Sequence, residues 1–300
     1  MIVILGPTAS GKTRLAARLT KEMGSEIISA DSRQVYRGMD KGTGKDLKDY
    51  IVDGEAIPYH LIDIVDPDYE FNVFEYQRRF FRCFFEICSR GVIPVMVGGT
   101  GLYIESVITG YRMTEVPENY VLRQELEKED MQALTRRLLL LDHTVHNTTD
   151  LLDRKRLIRA IEIREFTKLH YRENKNKLPV ITPLIIGVRW ERSILRQRIT
   201  SRLENRLRAG MIEEVKKLKE SGIAWDKLDF FGLEYRYVGF YLQGKLNYND
   251  MFQKLNTRIH QFAKKQETWF RRMEKRGIEI KWINGDDYNS IKEIVERLIK

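Results

Sequence analysis

The chain has 300 residues, 42% of them apolar and 32% charged, with 20 Gly and 7 Pro. That is globular composition for about two domains, and it excludes disordered, collagen-like and low-complexity classes. The net charge of +9 is uneven: residues 1–110 carry net −2 and residues 111–300 net +11. This suggests a near-neutral catalytic half and a basic half facing a polyanion, although solvated helix faces would give the same count.

In chain order, Ile2–Leu5 reads as an apolar strand, followed by Gly6–Thr13 and a helical pattern through Leu15, Leu19 and Met23. Met1 passes straight into that strand with no basic leader. No apolar run, Val92–Val97 included, approaches the ~20 residues that span a bilayer. A cytoplasmic protein without signal peptide or membrane contact is expected. Glu26–Ala30 is a second strand ending at Asp31-Ser32, Val73–Arg90 an aromatic-rich helix, and Val92–Val97 a third strand ending at Gly98-Gly99. Cys83 and Cys88, five apart on that helix, are expected to be reduced core thiols.

Residues 120–178 read as helices with no strand signal, and Glu173–Lys177 as a polar linker. Strands return at Leu184–Val188 and Ile278–Ile283, with long basic helices at Ser193–Glu220 and Asn249–Lys275. Continuous apolar strands separated by helices imply an α/β fold with a parallel sheet covered on both faces. The expected organisation is a P-loop NTPase-like α/β core at 1–113 and 179–300, interrupted by a helical insertion domain at 114–178. Ligands would sit beyond the strands' carboxyl ends, where Gly6, Asp31 and Gly98 lie.

Gly6-Pro7-Thr8-Ala9-Ser10-Gly11-Lys12-Thr13 fits the phosphate-loop pattern between a strand and a helix. The glycines let the backbone curl its N–H groups toward an anion at a helix N-terminus. Lys12 supplies charge, and the Thr13 hydroxyl is a Mg²⁺ ligand. The loop therefore binds a di- or triphosphate such as ATP. Val92–Val97 runs into Gly98-Gly99-Thr100 instead of the acidic Mg²⁺ ligand of ATP-hydrolysing machines. Asp31 is either a strand-end cap or a base serving an acceptor over the same crevice, so a small-molecule P-loop kinase stays open. The five histidines (60, 143, 146, 170 and 260) show no ligand-like pairing with cysteines, and no structural zinc is expected.

Six segments together resemble the tRNA dimethylallyltransferases, the bacterial tRNA isopentenyltransferases. They are Gly6–Thr13 (GPTASGKT), Asp31–Lys45 (DSRQVYRGMDKGTGK), Asp63–Pro67 (DIVDP), Val97–Tyr103 (VGGTGLY), Asp153–Glu162 (DRKRLIRAIE) and Ala263–Arg271 (AKKQETWFR). The resemblance implies transfer of a dimethylallyl group from its diphosphate to N6 of adenosine 37, beside the tRNA anticodon. It implies Asp31 as general base, Thr8 at the bridging oxygen, Lys12 and Arg202 on the diphosphate, and Ser32, Arg33, Gln34 and Thr100 on the tRNA. Residues 155–159 (Lys155, Arg156, Leu157, Ile158 and Arg159) match a tRNA-contacting turn, with Arg123 a weaker candidate. A monomer is expected.

Arg198, Arg202 and Arg206 form one cationic stripe beside the core stripe Leu195, Ile199, Leu203 and Leu207; Arg198 and Arg206 receive no role. Two positions depart from the family pattern: Glu234 where glycine is usual, and Gly44 where alanine is usual. Both are expected to bear on tRNA fit. The alternatives are an adenylate isopentenyltransferase, a small-molecule kinase, and an RNA-binding module with a vestigial P-loop.

Overall fold

The computed structural model describes every residue except 112, 114, 142–150, 170–177, 180, 286 and 300, and only the backbone of 298 and 299. The expected linker Glu173–Lys177, the insertion boundary at residue 114, and His143, His146 and His170 lie outside the described residues. The chain divides into two compact units, Met1–Tyr111 with Val180–Lys300, and Arg112–Pro179.

The larger unit opens with β1 (Ile2–Leu5), α1 (Lys12–Glu22) and β2 (Ile27–Ala30). A 3-10 turn at Leu47–Tyr50 leads to a small hairpin, β3 (Ile51–Val52) and β4 (Glu55–Ala56), and the short strand β5 (Tyr59–His60). Next come α2 (Val73–Cys88), β6 (Val95–Gly98) and α3 (Gly101–Ile108). The smaller unit holds α4 (Tyr120–Leu126), α5 (Met131–Leu141) and α6 (Arg154–Leu169). The larger unit resumes with β7 (Leu184–Arg189), α7 (Arg192–Arg208), α8 (Met211–Glu220), α9 (Trp225–Phe231), α10 (Leu233–Leu242), α11 (Tyr248–Lys275), β8 (Lys281–Asn284) and α12 (Tyr288–Ile299).

Six strands pair in parallel in the order β5-β2-β6-β1-β7-β8, with Ile2 in register with Val95 on one side and Leu184 on the other. Alternation assigns the faces. Ile2, Ile4, Val95, Val97, Ile186 and Val188 pack with Leu15 and Leu19 of α1 and Ile291 and Val295 of α12. Met96 points the other way and accepts the Tyr76 hydroxyl of α2 at 3.7 Å. Both faces are covered, so the strands carry continuous apolar sequence, and all end on one edge of the sheet.

Three expectations shift. The third strand begins at Val95 instead of Val92, because Pro94 has no N–H to give a ladder; its carbonyl instead accepts Ile2 N at 3.1 Å. The expected helix Ser193–Glu220 breaks into α7 and α8 at Gly210, whose φ of +96° a side chain would strain. Cys88 is exposed and Cys83 half-buried, so the pair are free thiols but not core ones; the outward face of α2 carries Cys88.

In the smaller unit Leu122, Leu126, Leu134, Leu138, Leu157, Ile158 and Ile161 form their own core. Glu162 is buried against it, 1% exposed. The Asn119 amide donates to it at 2.5 Å, Arg123 Nη2 at 2.9 Å, and Arg159 Nη1 closes the cluster.

Candidate active site

β1 ends in the phosphate loop. Gly6 has no room for a side chain, since a Cβ would lie 2.8 Å from both Val188 O and Ser10 Oγ. Gly11 starts α1 at φ +85° and offers no capping side chain, which leaves the helix's first-turn N–H groups open to an anion. Three elements hold the loop from outside. From α11, Gln266 accepts Thr8 N at 2.8 Å and donates to Gly99 O at 2.8 Å, tying the end of β1 to the end of β6. From α7, Arg198 Nε donates to Ala9 O at 2.9 Å while its guanidinium lies 4.3 Å over Trp190. Just past β7, Trp190 Nε1 donates to Ser10 O at 2.8 Å. With the Ala9 and Ser10 carbonyls bound outward, the loop is set for an anion within.

Lys12 donates to Pro7 O at 3.3 Å. Burial and the nearby Arg202 push its pKa down to about 8, while Asp31 pulls the other way. Arg202 Nη1 donates to Thr8 Oγ1 at 3.3 Å, Nη2 to Gly44 O at 3.1 Å and to Asp46 Oδ2 at 2.6 Å. Thr13 is the second residue of α1.

Asp31 follows β2. Its Oδ1 accepts Arg33 N at 2.8 Å and Gln34 N at 3.2 Å, so it is a turn-closing residue after all. That role uses one oxygen and fixes the plane of the carboxylate. Thr100 Oγ1 accepts Ser32 N at 3.2 Å, joining the ends of β2 and β6. Arg33 stacks 4.7 Å over Phe230, and Gln34 Nε2 donates to Gly44 O at 3.2 Å. The quoted Asp31–Lys45 segment is pinned from within: Lys45, 4% exposed, donates to Tyr36 O and Asp40 Oδ1 at 2.8 Å each and pairs with Asp63. Glu214 of α8 accepts the amides of Asp40, Lys41 and Gly42 at 3.0, 2.8 and 2.9 Å.

Gly6–Thr13, Asp31–Gln34, Thr100 and Arg202 thus gather at the carboxyl ends of β1, β2 and β6. Arg123 and residues 155–159 belong to the smaller unit. There Leu157 and Ile158, the apolar members of that turn, pack their side chains into the unit's core at 0% and 4% exposure. Arg123 and Arg159 bind Glu162, while Lys155 and Arg156 are exposed. Glu234 and Gly44, expected to bear on tRNA fit, both border Arg206 beside the phosphate loop.

Sequence reasoning assigned nothing to Gln266, Asp46 or Trp190. A signal existed for Gln266: it is the polar member of the buried stripe Met251, Leu255, Ile259, Ala263, Gln266, Phe270 and Met273. Asp46 and Trp190 carry no such periodic mark.

Residues 34–273 match the family model described as IPP transferase, and residues 1–57 that described as isopentenyl transferase. The chain is 62% identical over 293 residues to tRNA dimethylallyltransferase 1 of Syntrophus aciditrophicus, covering 98% of this chain and 96% of that one. It is 57% identical over 300 residues to tRNA dimethylallyltransferase 1 of Geotalea uraniireducens, covering 99% and 96%. The tRNA isopentenylpyrophosphate transferase of Bacillus halodurans has a similar structure, with TM-score 0.69 and 32% identity over 99% of this chain and 96% of that one. A eukaryotic dimethylallyltransferase acting on tRNA shares the fold at TM-score 0.79 and 23% identity, covering 100% of this chain and 77% of its own.

Proposed function

Because the chain belongs to the IPP transferase family, among the tRNA dimethylallyltransferases, we propose that it moves a dimethylallyl group from dimethylallyl diphosphate to N6 of adenosine 37 in tRNA. The observation that carries this reading is the juxtaposition at the sheet edge. A carboxylate with one oxygen pinned by Arg33 N and Gln34 N follows β2, while an anion loop with Lys12 and Arg202 follows β1.

The exocyclic N6 is a weak nucleophile because its lone pair is delocalised into the purine. As its bond to C1 forms, the C1–O bond breaks and that electron pair leaves with the diphosphate. The N6 proton passes to the second oxygen of Asp31, which removes the developing positive charge. Thr8 Oγ1, held by Arg202, meets the bridging oxygen, and Lys12, Arg202 and the α1 amides stabilise the leaving anion.

Thr13, second residue of α1 directly after the phosphate loop, fits Mg²⁺: its hydroxyl stands where this loop pattern offers a ligand to an ion carried by phosphates. When bound, that ion offsets charge on the diphosphate.

Ser32, Arg33, Gln34 and Thr100 border Asp31 and would hold the tRNA around the reacting base, with Lys155 and Arg156 its contacts on the smaller unit. One chain supplies the whole donor site, which supports a monomer, and a tRNA acceptor supports a cytoplasmic setting. Among the described residues no helix is long and apolar enough to cross a membrane.

The test incubates the protein with labelled dimethylallyl diphosphate and unmodified tRNA, AMP, ATP or no acceptor. Label is expected on tRNA alone. Transfer to AMP or ATP would make it an adenylate isopentenyltransferase, and no transfer to any acceptor would remove the reading.

A further inference from the structure

Arg206 lies one helical turn beyond Arg202 on α7. Its Nη1 is 3.6 Å from Glu234 Oε1, and its Nη2 is 4.0 Å from Asp46 Oδ2, a carboxylate oxygen that Arg202 already occupies at 2.6 Å. Its Nε and Nη2 atoms are buried, and neither has a hydrogen-bond partner. A buried guanidinium with open N–H groups is costly in the free protein, and such donors belong to an acceptor that arrives with a ligand.

The position of those donors names the ligand. Gly44, at φ +68°, is the notch that admits them: a Cβ there would fall 1.6 Å from Arg206 Nη2 and 2.9 Å from Arg202 Nη2. Two guanidinium groups therefore converge on one point, and the backbone carbonyl of that same residue binds Arg202. Arg202 also donates to Thr8 Oγ1 of the phosphate loop at 3.3 Å, which puts the pair of guanidinium groups at the edge of that loop. Like charges brought together around an anion loop are relieved by an anion shared between them. Glu234, 3.6 Å from Arg206 Nη1, pairs with it and favours its charged form against the cost of burial.

We propose that Arg206 is a second guanidinium clamp on the donor's diphosphate, admitted by Gly44 and held by Glu234. The assignment rests on the diphosphate reading of the phosphate loop and adds to it a residue that binds the leaving group directly. Both departures from the family pattern, at residues 44 and 234, then serve one side chain.

The experiment measures binding of inorganic pyrophosphate by calorimetry, together with melting temperature and tRNA affinity. Arg206→Met alone would leave the half-buried Glu234 carboxylate without its cation, so the main variant is Arg206→Met with Glu234→Gln. Pyrophosphate binding is expected to weaken about tenfold or more, with melting temperature and tRNA affinity near wild type. Gly44→Ala, which would displace the guanidinium, should weaken binding similarly when Arg206 is present and have little further effect in the Arg206→Met background. Unchanged pyrophosphate affinity in the double variant overturns the inference alone, as does a Gly44→Ala effect indifferent to Arg206. Wild-type protein that ignores pyrophosphate overturns the diphosphate reading and the inference together.

Discussion

Asp31 combines two roles that a sequence reading treats as alternatives. Its Oδ1 closes the turn at Arg33 and Gln34, and its other oxygen is the proposed base. Asp31→Asn keeps an acceptor for both amides, so melting temperature and tRNA affinity should stay near wild type. An amide cannot take the N6 proton, and single-turnover transfer should fall ~10²–10⁴-fold. Near-normal transfer by that variant would show that Asp31 only closes the turn. Lys12 makes a pH prediction. With its pKa near 8, set by burial and Arg202, the free protein loses this charge as pH rises. Donor capture, read as kcat/KM, should fall about tenfold per unit above about pH 8. Lys12→Met should be slow throughout and show no such break. Stability moves the opposite way. Between about pH 8 and 10.4 the unfolded chain holds a proton that the folded chain has lost, so this group favours folding as pH rises across that window.

Two helices decide whether those residues are placed. On α11, Gln266 bridges Thr8 N and Gly99 O from the middle of an apolar stripe. Gln266→Leu leaves both buried groups unpaired and should cost about 1–3 kcal/mol of stability, read by denaturant unfolding. The donor's KM should rise with it, because the phosphate loop loses its tie to β6. Gln266→Glu keeps the acceptor for Thr8 N but turns an oxygen toward Gly99 O, so it should restore little. On α6 the cations differ in purpose. Arg159 binds buried Glu162, while Lys155 next to it is exposed. Arg159→Ala should lower the melting temperature and Lys155→Ala should not. Equal melting temperatures would mean that Glu162 is satisfied by Arg123 and Asn119 alone. The cationic stripe of α7 could be read from its spacing, but spacing did not show that Arg198 and Arg202 bind Ala9 and Thr8 across the unit.

For the whole chain, the +11 charge of residues 111–300 predicts steeply salt-dependent tRNA binding, with a log–log slope of about −0.7 to −0.9 per phosphate contact. Lys155→Ala with Arg156→Ala should flatten that slope by about one to two units and leave pyrophosphate binding unchanged. An unaltered slope would move the tRNA surface off this helix. The sequence alone determined five of the six strands of the parallel sheet, the phosphate loop and the family, because these rest on local patterns: apolar runs of strand length, a glycine-bearing loop between strand and helix, and contiguous motifs. Tertiary structure decided what the isolated charged and polar residues do. Gln266, Asp46, Arg198 and Arg206 act on groups more than 100 residues away or on carboxylates of other elements, and Arg123 serves the buried Glu162 of another helix. A cation's partner depends on which side chain the fold brings within hydrogen-bond range and on how far water is excluded there. Neither quantity is written in the spacing of the residue along its own helix.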